Sequence, residues 1–124
     1  MRWRLLILLM LAPILVRAQS GTPLKRIQVQ GGGPVVIEGD VERGKEVFFV
    51  FRAKAGAKFS GQLATKSGKA GFAVDDADGR GLPEEELDFN TNLTSSLEKT
   101  GDYTITVATF DRRRVHFTLT VRIY

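Results

Sequence analysis

Strict alternation of apolar and polar residues is the feature that most restricts what this chain can fold into. Val115, Phe117, Leu119, Val121 and Ile123 are separated by His116, Thr118, Thr120 and Arg122, nine residues without a break in phase. Successive side chains on a strand point to opposite faces, so such a run builds one apolar face and one wet face. Tyr103, Ile105 and Val107 against Thr104 and Thr106 repeat the pattern. After residue 24 no window keeps a helical period over three turns, so helical folds are excluded.

Shorter runs fill the middle of the chain. Leu24, Arg26 and Gln28 alternate weakly with Lys25, Ile27 and Val29, and Gly31-Gly32-Gly33-Pro34 then breaks the run. Val35-Val36-Ile37 predicts a short strand, followed by a polar turn at Glu42-Arg43-Gly44-Lys45. Glu46 to Ala53 places Val47, Phe49 and Phe51 on one face and Phe48 and Val50 on the other. An apolar load on both faces implies a central strand covered on both sides, or one face covered by the N-terminal segment. Phe59, Gly61 and Leu63 continue the alternation, and Phe72 with Val74 marks another strand. That strand ends at Asp76-Ala77-Asp78-Gly79, a turn whose glycine can take positive φ. Asp111-Arg112-Arg113-Arg114 reads as an exposed hairpin tip. Several short strands separated by turn signals predict an all-β fold, an antiparallel β-sandwich of jelly-roll type with seven or eight strands.

The 124 residues suffice for one domain. Residues 1–18 have the three parts of an export signal: basic Met1-Arg2-Trp3-Arg4, the apolar run Leu5 to Val16, and Val16-Arg17-Ala18 ahead of Gln19. A helix of that apolar run reaches about 18 Å, short of the roughly 30 Å hydrocarbon core, so no stable membrane insertion is expected after cleavage. Residues 19–39 then supply N-terminal strands and a Gly-rich connector, and 40–124 the body of the same domain. The expected location is the periplasm or the cell exterior. The chain has no cysteine, which excludes disulfides, thiol nucleophiles and cysteine metal sites.

Charge narrows the partners. The formal charge is +4, with 18 Lys and Arg against 14 acids. Arg2, Arg4 and Arg17 leave with the signal, so 15 basic residues then face the same 14 acids. Residues 70–98 are acidic and lie between two basic stretches. Nucleic acid wants one contiguous basic face, and this pattern excludes it as the expected partner.

Candidate chemistry is sparse. Asp75, Asp76, Asp78, Glu84, Glu85, Glu86 and Asp88 crowd into fourteen residues. Calcium takes six to eight oxygen ligands, so Asp75, Asp76 and Asp78 are calcium candidates, although the EF-hand spacing fails and a β-turn plus a solvated acidic loop is the favoured reading. His116 is the sole imidazole and shares its strand face with Thr118 and Thr120, which leaves no spaced catalytic triad. Gly31-Gly32-Gly33 lacks the Lys-Ser/Thr of a phosphate loop and reads as a connector. Asn92-Leu93-Thr94 matches a glycosylation sequon by composition only. No cofactor is expected, and an enzyme is not.

Two resemblances add to this reading. Phe48 to Lys58, then Phe72 to Gly79, then Leu97 to Val107 with Thr100-Gly101-Asp102-Tyr103-Thr104-Ile105-Thr106-Val107, and finally Phe117 to Val121, follow in an order that resembles the bacterial pre-peptidase C-terminal domain. That likeness covers about residues 40–124 and implies a secreted β-sandwich, here with no protease attached. The chain is also similar to the periplasmic inhibitors of goose-type lysozyme, whose Ser-Gly-x-Tyr loop enters the lysozyme cleft. Thr100-Gly101-Asp102-Tyr103 matches with Thr in place of Ser, and Arg112, Arg113 and Arg114 fall at a comparable following basic loop. The resemblance implies a non-catalytic binding module that contacts a protein or an envelope glycan. Thr100, Gly101, Asp102 and Tyr103 would occupy the cleft and Arg112–Arg114 would pair with catalytic carboxylates. Tyr103 is in phase with Ile105 and Val107, so a core or corner tyrosine remains the alternative.

Overall fold

A computed structural model of the chain describes residues 24–29, 33–66, 69–82, 90–111 and 113–124. The expected export signal, Gly31, Gly32, Glu84, Glu85, Glu86, Asp88 and Arg112 lie outside the described residues. Among the described residues nine strands follow in order: β1 Leu24–Arg26, β2 Val35–Val41, β3 Val47–Ala53, β4 Lys58–Thr65, β5 Ala70–Asp75, β6 Gly81–Leu82, β7 Asn92–Ser96, β8 Gly101–Thr109 and β9 Val115–Ile123. They form two sheets, ordered β1-β3-β8-β5-β6 and β2-β9-β4-β7. This is the all-β sandwich the alternation predicts. The strand count exceeds the expected seven or eight because β6 spans two residues, too short for a period-two pattern to register, and β7 carries a single apolar residue, Leu93, among polar ones.

The cleanest sequence runs give the cleanest strands. In β9 Val115, Phe117, Leu119, Val121 and Ile123 are buried, and His116 and Arg122 are exposed. In β8 Tyr103, Ile105 and Val107 are buried between the sheets. The N-terminal segment differs from expectation. β1 does not cover the second face of β3 but lies beside it as a parallel edge strand, with Leu24 opposite Phe48. Its residues are all exposed, and the chain reaches the core only afterwards, through Ile27 and Val29.

Rings bind the two sheets together. Phe51 of β3 stacks on Tyr103 of β8 at 5.4 Å between centroids, and on Phe59 of β4 in the opposite sheet at 5.6 Å. Phe49 meets Phe117 edge-on across the sandwich at 6.4 Å. Offset and edge-on pairs of this kind add to the stabilisation that burial of their area already provides.

The path of the chain corrects one reading. Of the successive strand pairs only β5 and β6 are neighbours in one sheet, and every other connection carries the chain from one sheet to the other. The Asp111–Arg114 segment is therefore not a hairpin tip but a crossing from β8 to β9. Alternation reports which face a residue occupies and cannot report which sheet the next strand joins. The consequence for the candidate site is positional. Gly101 begins β8 beside Ala53 of β3, and Thr109 ends it beside Ala70 of β5. The strand between is about 27 Å long at roughly 3.4 Å per residue.

Candidate functional site

At the Gly101 end, four connections meet. Tyr103 is 1% exposed, its ring under Phe51, and its hydroxyl donates to the Lys99 carbonyl at 2.6 Å. The same oxygen accepts the Lys99 N–H at 3.2 Å. A buried phenol that ties down the chain a few residues upstream is the corner arrangement of many sandwiches. Thr100 Oγ1 accepts the Ala55 N–H at 2.9 Å, which anchors the loop to the β3–β4 turn. Gly101 has φ of +155°, and a Cβ there would lie 3.0 Å from Ala77 Cβ. The backbone conformation and the tight contact both favour glycine at this position. Asp102 takes a two-pronged hydrogen bond from Arg26, at 2.9 and 3.3 Å, with Arg52 3.8 Å away. The Arg26 hydrogen bond holds the Asp102 carboxyl below its usual range.

The neighbouring acidic turn is organised around its own hydrogen bonds. Asp76 Oδ1 accepts the N–H groups of Asp78 and Arg80, each at 2.9 Å, and Gly79 takes φ of +84° as the turn requires. These backbone donors, led by Arg80, lower the Asp76 pKa. Lys99 Nζ hydrogen-bonds Asp78 and lies 3.6 Å from Asp76, so an ammonium stands where a cation would be shared. Asp75 is pushed the other way, chiefly by burial and then by the Asp76 charge. Among the described residues no three acidic or imidazole side chains gather as a metal site, and Asp75, Asp76 and Asp78 do not converge.

Arg113 and Arg114 lie at the other end of β8, so the two halves of the sequence-predicted site are not brought together. Arg114 donates to Glu42 at 2.7 and 3.2 Å, and Glu42 also has Lys45 at 3.7 Å. Arg113 is exposed and makes no ion pair among the described residues. Between them and β8 sits Phe110, 75% exposed, which the sequence reading did not single out. Its stem is pinned: Thr109 donates through Oγ1 to the Lys69 carbonyl, and Asp111 accepts the Lys69 N–H. Asp111 N–H in turn donates to Thr109 Oγ1 at 3.1 Å. Phe110 borders two surface hollows of about 520 and 330 Å³, one with Arg43–Glu46 and Phe48, the other with Leu63, Lys69 and Thr91. The signal that could have found it is a phenylalanine on the outward phase of β8, directly before a charged run.

His116 stands on the outer face, its Nδ1 2.9 Å from Asp40 and its Nε2 3.3 Å from Glu38. The Asp40 hydrogen bond is the main cause of its raised pKa. Neither ring nitrogen reaches a hydroxyl among the described hydrogen bonds, so the triad geometry is not assembled there.

No protein-family model matches the sequence, and no curated protein matches it. Solved structures do match. PliG of Aeromonas hydrophila, a periplasmic lysozyme inhibitor of g-type lysozyme, superposes with a TM-score of 0.64 at 20% identity. That alignment covers 84% of this chain and all of the other. A mutant of the Escherichia coli PliG gives 0.60 at 19% identity, over 85% of this chain and all of the other. The pre-peptidase C-terminal domain of Bacillus anthracis collagenase gives 0.59 at 12% identity, again over 85% of this chain and all of that one. Both resemblances suggested by the sequence are thus met in the fold.

Proposed function

We propose that this chain is an exported, non-catalytic binding module that inhibits a goose-type lysozyme. The contact is made by the loop Thr100-Gly101-Asp102, seated at the lysozyme's sugar cleft. The observation that carries this reading is the bracing of the loop from several sides. Tyr103 holds its stem from within, Thr100 is anchored to Ala55, and Asp102 is clamped by Arg26. A loop ordered before contact loses little conformational entropy on binding, which is how preorganised inhibitors gain affinity. The fold shared with the PliG inhibitors supports the same function.

Tyr103 in this mechanism is a positioning residue beneath the loop and does not enter the cleft. Arg113 and Arg114 take no part in it, because a rigid body cannot offer both ends of β8 to one cleft.

Mixing the chain from residue 19 onward with goose-type lysozyme tests the reading. Lysis of cell-wall substrate is expected to fall as the protein is added. Asp102→Arg, which replaces the partner of Arg26 by a like charge at an exposed position, is expected to remove the inhibition while the protein still unfolds in one cooperative transition at a slightly lower temperature. Undiminished lysis with the unaltered protein overturns the reading, and full inhibition by Asp102→Arg overturns the assignment of the loop.

A further inference from the structure

The opposite end of the sandwich carries chemistry that the proposed inhibitory loop does not use. Phe110 is held outward on a pinned stem, and an exposed phenylalanine on a tied backbone is a built feature rather than a frayed one. Four exposed cations share this end of the sandwich: Arg43 from the β2–β3 turn and Lys69 from the β4–β5 connection, which line the hollows beside Phe110, with Lys66 from the same β4–β5 connection and Arg113 from the β8–β9 crossing. None of the four makes an ion pair among the described residues; of the acids at this end Glu42 is paired with Arg114 and Lys45, the Asp111 carboxylate takes the Lys69 N–H, and Glu46 is exposed but outnumbered by the cations. Leu24, 62% exposed, pairs with Phe48 at the same end.

We propose that this end is a docking surface for an anionic lipid bilayer, into whose interface Phe110 inserts while Arg43, Lys66, Lys69 and Arg113 meet lipid phosphates. Aromatic rings settle at the headgroup level, and basic residues near an anionic surface are attracted to it. The placement of the cations favours a bilayer over an acidic protein cleft. They come from three separate connections at the end that carries the aromatic, an arrangement that suits an extended plane of phosphates. Docking is peripheral and needs no spanning segment, and it leaves the Thr100–Asp102 end pointing away from the lipid.

The core is drawn from residues 27–123, so the chain from residue 19 onward retains every described core residue and can be tested without the apolar run. Its co-sedimentation is measured with vesicles of phosphatidylcholine mixed with phosphatidylglycerol, and with phosphatidylcholine alone. Strong binding is expected only to the anionic vesicles, weakening as salt is raised. Arg113→Ala and Lys69→Ala are each expected to cost about fivefold in affinity. Phe110→Ala is expected to cost roughly tenfold, from lost burial of the ring. Asp102→Arg is expected to change nothing here. Absence of binding to anionic vesicles, or equal binding by Phe110→Ala, overturns the proposal. So does a Phe110→Ala protein that loses lysozyme inhibition and sediments as before, which would make this end a protein-docking face. Because the two proposals use opposite ends, either can fail with the other standing.

Discussion

At the Gly101 end of β8 the loop side chains are turned to internal partners, whereas at the Thr109 end a tied backbone presents an exposed phenylalanine and several exposed cations. Thr100, Asp102, Tyr103, Asp76 and Lys99 each hydrogen-bond another part of the same end. Phe110 instead stands exposed on a stem held by Thr109, Asp111 and the Lys69 backbone, with Arg43, Lys69 and Arg113 exposed at the same end. Both ends are ordered, by different means. One offers a rigid shape to a partner, and the other offers charge and apolar surface.

The comparison makes a stability contrast the first thing to break. Tyr103→Ala removes a fully buried ring stacked on Phe51 and is expected to destabilise by about 3–5 kcal/mol, read from denaturant unfolding. Tyr103→Phe keeps the ring and loses only the hydroxyl, for about 1–3 kcal/mol, since the Lys99 N–H and carbonyl then lack their partner. If Tyr103→Phe proves neutral, the hydroxyl tie does not organise this end. Gly101→Ala forces a Cβ against Ala77 at an unfavourable φ and should cost about 1–3 kcal/mol in the same assay. Phe110→Ala, at the other end, is expected to stay within about 0.5 kcal/mol of the unaltered protein. A large loss there would mean that Phe110 belongs to the core and not to a docking surface.

The smallest effect belongs to the face between the ends. His116 has its folded-state pKa raised by Asp40 and then Glu38. The stabilisation its protonation brings is therefore complete below the unfolded value near 6.5, and is lost as pH rises through the folded value. An NMR titration should find the His116 midpoint above 6.5, and Asp40→Asn should bring it down. A midpoint at or below 6.5 would show that the two carboxylates do not hold the ring.

Much of the fold was legible in β8 and β9, where every second residue is apolar over a full strand length. The same logic placed His116 outside and left Tyr103 with two readings, of which the burial of its ring selects the corner one. The turn at Asp76-Ala77-Asp78-Gly79 was legible as well, because its glycine and aspartates have local chemical reasons to be there. β6 and β7 were not, since two residues cannot show a period and Leu93 is the lone apolar residue of its strand. The candidate site was half legible. Thr100 to Tyr103 stood out by its resemblance to a known loop, but its grouping with Arg112–Arg114 did not survive the placement of Arg113 and Arg114. Phe110 was passed over because a lone aromatic beside charges resembles any surface residue until its exposure and its pinned stem are known.

By itself, the sequence of this protein determined most of the strands, the faces they bury and the exclusion of thiol chemistry and of a helical fold, all of which follow from residue type and a two-residue period. Only the tertiary structure decided which strands are neighbours, and therefore which loops share an end. All but one of the connections cross between sheets, so residues eight apart along β8 lie at opposite ends of the sandwich. Arg26 and Asp102, seventy-six apart in sequence, touch. Periodicity along a strand carries no information about partners that distant. That is set by how two apolar faces close on each other.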